Sequence, residues 1–201
     1  MDWKLPQDFS KTLIVWWRFG KEDGEDEIAV YPDEVIAAHL QQKVDRFRQL
    51  DQGAWRWWQV DKDLIIERPP PQGPLFGPDS RIYYLLDKGL SVIEEVHMPP
   101  PDDRWKWYIR ISDFIWDENL GSWLMKDQFC DIVVEYDDRT YHLYGLPAMA
   151  QALDVGLITT AESGAILQRI DWVVNCLSKG EFPFAQIQRG QAAAKKMGWD
   201  G

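Results

Sequence analysis

The stretch Phe129-Cys130-Asp131-Ile132-Val133-Val134-Glu135-Tyr136, followed by Asp137-Asp138, Arg139-Thr140-Tyr141-His142-Leu143-Tyr144 and Gly145-Leu146-Pro147, reads as two strands that feed a helix. Its β-branched and aromatic residues suit a pleated surface, and the two aspartates supply the turn. Pro147 fits a first helical position, where no backbone N–H is needed. A strand pair delivering the chain into a helix predicts a sheet with helices packed on it.

Working outward, Arg81 to Leu86, Leu90 to His97 and Lys106 to Ser112 read as three further strands. Lys11 to Arg18 and Asp63 to Arg68 are strand-like runs earlier in the chain. Asp33 can cap a helix reaching about Leu50, with Ile36, Leu40, Val44 and Phe47 at helical spacing. Gly156 stops the helix begun at Pro147, and Thr159 with Glu162 forms a capping box for a last helix ending at Gly180. The fold class expected is α+β: a mostly antiparallel β-barrel or strongly curved sheet with one N-terminal helix and two C-terminal helices. Three parts are expected: an N-terminal extension over 1–80 packing on the barrel, the barrel with its helices over 81–184, and a mobile tail over 185–201. Lys21 to Glu27 is a solvated charged loop, and the prolines from 69 to 78 keep their segment extended.

The chain has 201 residues, enough for a sizeable core without disulfides, and a net charge of −11. That charge argues against sequence-independent binding to nucleic acid or anionic membrane, and favours a basic protein partner or a metal. No apolar run reaches membrane-span length and Met1 to Pro6 lacks a signal-peptide layout, so a cytoplasmic protein is expected. Cys130 and Cys176 read as buried hydrophobes, because no CxxC or Cys/His spacing accompanies them. No P-loop, dinucleotide fingerprint, zinc-protease helix or nucleophile elbow occurs.

Twelve tryptophans are the compositional oddity. Strand spacing puts Trp105, Trp107, Ile109 and Ile111 on one face and Lys106, Tyr108, Arg110 and Ser112 on the other, so most indoles belong to the core. Trp55, Trp57 and Trp58 are the candidates for partner binding, since consecutive indoles point to opposite faces of a strand. Trp172 sits on the flank of its helix's apolar stripe and is a candidate for a contact outside the core.

From Arg81 to Phe184 the order of elements resembles the family called domain of unknown function 402, the FomD-like nucleoside tri- and diphosphate phosphatases. Trp107 to Ser112 looks like the family's strand ending Tyr-x-Asn, and Lys126 to Val134 looks like its segment of alternating Asp. The resemblance implies metal ligands at Asp127 and Asp131. Phe129 stands where a further Asp is expected, Arg110 where the family has Asn, and Tyr144 to Pro147 where an Asp-Glu-Asp-Glu run is expected.

Two functions follow. In one, the barrel has lost its metal chemistry: Arg110 pairs with Asp131, no cofactor is used, and the chain is a binding or assembly factor for a protein partner. In the other, Asp127 and Asp131 hold Mg²⁺ or Mn²⁺, Asp138 or His142 orients water, and Arg110 contacts the phosphate of a nucleoside di- or triphosphate or related ester. His142 and the Asp pair also have a plainer reading, as a hydrogen-bonded strand histidine and a solvated turn.

Overall fold

The structure, a computed structural model, describes residues 14–17, 33–49, 56–69 and 75–199. Its elements in chain order are β1 (Ile14–Trp17), α1 (Asp33–Gln49), β2 (Arg56–Asp61), β3 (Leu64–Arg68), β4 (Phe76–Leu85), β5 (Leu90–Val96), β6 (Trp105–Asp117), β7 (Ser122–Glu135), β8 (Tyr141–Tyr144), α2 (Leu146–Asp154), α3 (Thr160–Lys179) and α4 (Ala185–Lys196). The sheet runs β1-β7-β6-β5-β4-β3-β2, and β8 pairs with β7 beside β1. Every pairing is antiparallel except β1 with β7. No pairing among the described residues joins β1 to β2, so the curved sheet is the form observed rather than a closed barrel.

Strand alternation creates two apolar faces. One carries Leu64, Ile66, Tyr83, Leu85, Val92, Trp107, Ile109, Ile132 and Val134, and is covered by α2, α3 and α4 through Met149, Ile166, Val173 and Ile187. The opposite face carries Ile14, Ile65, Ile82, Tyr84, Ile93 and Met125. The capping box at Thr159 is present: its hydroxyl accepts from the Glu162 N–H at 3.2 Å, and its own N–H donates to the Glu162 carboxylate at 2.7 Å. Gly180 ends α3 in the left-handed region, φ 69°.

Four readings change. Residues 185–201 are not simply a loose tail: α4 spans most of them, with Ile187, Ala194 and Trp199 buried in the main core. The helix escapes a search for large apolar side chains because it approaches the sheet on small ones; at Gly190 an added Cβ would lie 2.7 Å from the Tyr83 ring. β4 runs unbroken through residue 81, so β2 and β3 belong to the same sheet as the strands after them. Trp105 leaves the Trp107, Ile109, Ile111 face, because the β6–β7 register shifts between Trp105 and Trp107; its ring meets Tyr144 instead, 5.9 Å between centroids. Trp172 packs at home, tilted on Phe184 at 4.6 Å with Lys88 over its ring. None of the described helices is long and apolar enough to cross a membrane.

Candidate functional site

The site lies where β6 and β7 cross the face opposite the three C-terminal helices. Arg110 and Asp131 are direct cross-strand partners, while Ser112 pairs with Asp127. The two pairs are two positions apart on β6 and four on β7, so β7 bulges between Asp127 and Asp131. Phe129 takes the left-handed region at φ 68°, and Asp127 holds it there by accepting the Phe129 N–H at 2.8 Å in a buried bond. The bulge explains one departure from simple alternation. Phe129, expected to share a face with Asp131, turns into the helix-covered core beside Cys130, whose thiol burial pushes up to about 12.

Asp131 then faces Arg110 and Tyr108. Its Oδ1 lies 3.4 Å from Arg110 Nε, and its Oδ2 accepts the Tyr108 hydroxyl at 2.8 Å. The Arg110 and Asp131 side chains are 13% and 14% exposed, so both charges are largely withdrawn from water. Burial opposes the guanidinium's charge, yet Asp131, Tyr108 and Asp127 together hold it more firmly protonated than an ordinary arginine. Burial and the neighbouring Asp131 push the Tyr108 phenol upward, so it stays a neutral donor. Its ring also lies under the guanidinium, 5.3 Å from centroid to Cζ.

Arg110 and Asp131 therefore face each other, with Asp127 close enough for its charge to act on the guanidinium; Asp138 and His142 are not part of this contact. Asp138 accepts the Trp107 indole N–H at 2.8 Å and closes the turn. His142 Nε2 lies 2.9 Å from Glu135, which also takes Arg104 at 3.1 Å. Trp57 and Trp58 point to opposite faces as alternation requires: Trp57 stacks on Tyr84 with 6.0 Å between ring centroids, and Trp58 packs on the main core. Both are half-buried, and Trp55 lies outside the described residues.

Sequence reasoning missed two groups. Tyr108 shares Arg110's face by simple alternation, a signal that was available. Glu67 is buried among apolar residues of β3 and accepts the Tyr84 hydroxyl, and burial pushes its carboxyl up to about 8. A lone Glu inside Leu64 to Arg68 was the hint.

A divalent ion needs several oxygen ligands, and a guanidinium paired with a carboxylate competes with it for those oxygens. Asp127 already bonds the bulge, and Asp131 already holds a guanidinium and a phenol. Among the described residues no three His, Cys, Asp or Glu side chains are grouped to hold a metal. These residues do not fit Mg²⁺ or Mn²⁺.

The fold has counterparts among solved structures. FomD in complex with CDP superposes with a TM-score of 0.52 at 17% identity, over 67% of this chain and 80% of that one. A DUF402 protein of unknown function from Rhodococcus sp. RHA1 gives 0.50 at 20% identity, over 62% and 72%. This chain has the FomD-like fold. The phosphatase SC4828, solved with the non-hydrolyzable nucleotide GPCP, matches at 25% identity with a TM-score of 0.44, over 55% of this chain. The match spans only about half, 51%, of that phosphatase. No family model and no curated protein sequence matches the chain. Within the FomD-like fold, the β6–β7 crossing is where this chain sets its buried ion pair.

Proposed function

We propose that this chain is a non-catalytic binding or assembly-factor protein built on the FomD-like fold, with a protein as its partner. The observation that carries the reading is the Arg110–Asp131 pair, 3.4 Å apart and in register across β6 and β7. A guanidinium among Asp131, Asp127 and Tyr108 satisfies internally the negative charge that a metal-dependent phosphatase would direct at an ion. Fold alone does not fix activity, and the residues of the site favour the binding role.

The test is a panel of nucleoside di- and triphosphates and simple phosphate esters, with Mg²⁺ and with Mn²⁺. No metal-dependent release of phosphate is expected. Divalent-dependent release that collapses in Asp131→Asn overturns the proposal and returns the chain to the phosphohydrolases. Because one FomD-like structure holds CDP, nucleotide binding without turnover is measured in the same panel and is compatible with a binding protein.

A further inference from the structure

The β6–β7 hairpin continues well past the sheet's fifth strand. The last β5–β6 pair is Leu90 with Ile111, whereas β6 stays paired with β7 as far as Asp117 with Ser122. From Phe114 to Asp117 the outer edge of β6 has no strand partner among the described residues. Such an edge presents main-chain donors and acceptors to any extended segment that comes alongside.

Large apolar side chains crowd this end. Trp116 is 42% exposed and Ile115 is 53% exposed, on opposite faces of the strand. Trp116 meets Trp123 of β7 edge to face, 5.6 Å between centroids, so the exposed indole is held in place rather than free to fold away. Trp116 is on the face that carries Arg110, with Ser112 and Phe114 between them, and Phe114 packs against Tyr84.

The tip segment carries acidic charge, with Lys126 just beyond it opposite Asp113 and drawn to Glu162 at 3.7 Å. Residues 111–125 contain Asp113, Asp117 and Glu118 and no Lys or Arg. Arg169 of α3 neutralises Asp113 at 2.7 Å, and Asp117 caps the turn by accepting the Leu120 N–H at 2.9 Å, while Glu118, two residues along from Trp116, is exposed. An aromatic surface with an acidic rim favours a cationic apolar ligand, because a guanidinium or ammonium is attracted both to the indole face and to the carboxylates. A second copy of this acidic chain is disfavoured by the same charge.

We infer that the protruding β6–β7 tip, centred on Trp116 with Glu118 at its rim, docks an extended basic and apolar segment of a partner protein. The inference deepens the binding role proposed above and rests on it. Turnover of nucleotides would end that reading whatever the tip does, and failure of the tip to bind would leave it standing.

The experiment uses the full chain and a fluorescein-labelled peptide of alternating Arg and Leu, followed by anisotropy, with an alternating Glu-Leu peptide as control. Saturable, salt-weakened binding of the Arg-Leu peptide alone is expected. It should weaken about tenfold or more in Trp116→Ser, as for a central aromatic anchor, and several-fold in Glu118→Lys. Asp154→Lys, an exposed position on α2, makes the same change in net charge and should leave binding unchanged. Absence of binding, equal binding by all the variants, or equal weakening by Glu118→Lys and Asp154→Lys overturns the inference. A Trp116-dependent dimer in sedimentation of the protein alone overturns it as well.

Discussion

Gly145 lies against the carbonyl of Phe129: a Cβ on residue 145 would stand 1.8 Å from that oxygen and 3.1 Å from the Cα of Cys130. The contact joins the N-cap of α2 to the β7 bulge, and Gly145 itself has φ 89°, a conformation that suits glycine. The bulge is thus held from two sides, by Asp127 within β7 and by Gly145 across from β8.

Gly145→Ala should therefore be among the most damaging small substitutions in the chain. A backbone clash and a left-handed alanine add, and we expect a loss of about 3 kcal/mol or more, or failure to fold. Urea denaturation followed by circular dichroism measures it; a loss below about 1 kcal/mol would show that the bulge tolerates displacement.

The ion pair predicts an asymmetry between single and double replacement. Arg110→Met leaves Asp131 with a buried charge that has lost its guanidinium, at a cost of about 3 kcal/mol. Replacing both, Arg110→Met with Asp131→Leu, removes the stranded charge and should recover most of that loss. A double-mutant cycle in urea reads the coupling, and a double variant as unstable as the single one would contradict a paired site.

Glu67 gives the fold a pH dependence. Its carboxyl is raised from 4.5 to about 8 by burial, with the Tyr84 hydrogen bond pulling weakly the other way. Between those values the native state keeps a proton that the unfolded chain has released. The favourable contribution is thus complete below the unfolded value and is lost as pH rises toward the folded one, by roughly 3–5 kcal/mol across the window. Glu67→Gln, which can still accept the Tyr84 hydroxyl, should flatten this part of the stability profile. Equal slopes for the two proteins between about pH 5 and 8 would refute a protonated Glu67.

Gly190 sets how closely α4 approaches β3 and β4, since an added Cβ meets both the Tyr83 ring at 2.7 Å and Ile66 at 3.0 Å. Polar contacts fix the helix around it: Gln186 to Asp87 at 2.9 Å, Gln191 to Glu94 at 2.7 Å and Arg189 to Asp61 at 3.0 Å. Gly190→Val should overpack this contact, cost about 1–3 kcal/mol and speed proteolytic cutting after Phe184. Unchanged cutting would mean that the polar contacts alone keep α4 in place.

Much of the fold was legible because its signals are local. The Thr159-Glu162 box, the Gly180 stop, Pro147 and the alternation of Trp107, Ile109 and Ile111 each depend on residues within a few positions of one another. The bulge was not legible: Phe129 reads as an ordinary strand residue, and only the mismatch between the β6 and β7 registers shows that it turns into the core. Asp127 and Asp131 were picked out as metal ligands by resemblance alone. Alternation suggested that Asp131 and Arg110 would meet, but it gave no role to Tyr108 or to the bond from Asp127 to the bulge.

By itself the sequence determined most of the elements between Arg81 and Gly180, their order and the charge mismatch at Arg110, because propensity, capping and period are written in neighbouring residues. Tertiary structure alone decided what the two retained carboxylates do. Register between distant strands sets which charges face each other, and burial sets whether a carboxylate meets a guanidinium, a phenol or a backbone N–H. The same reasoning separates α4 from a loose tail: only the arrival of Tyr83 and Ile66 beneath Gly190 reveals a packed helix where the chain shows small and polar residues.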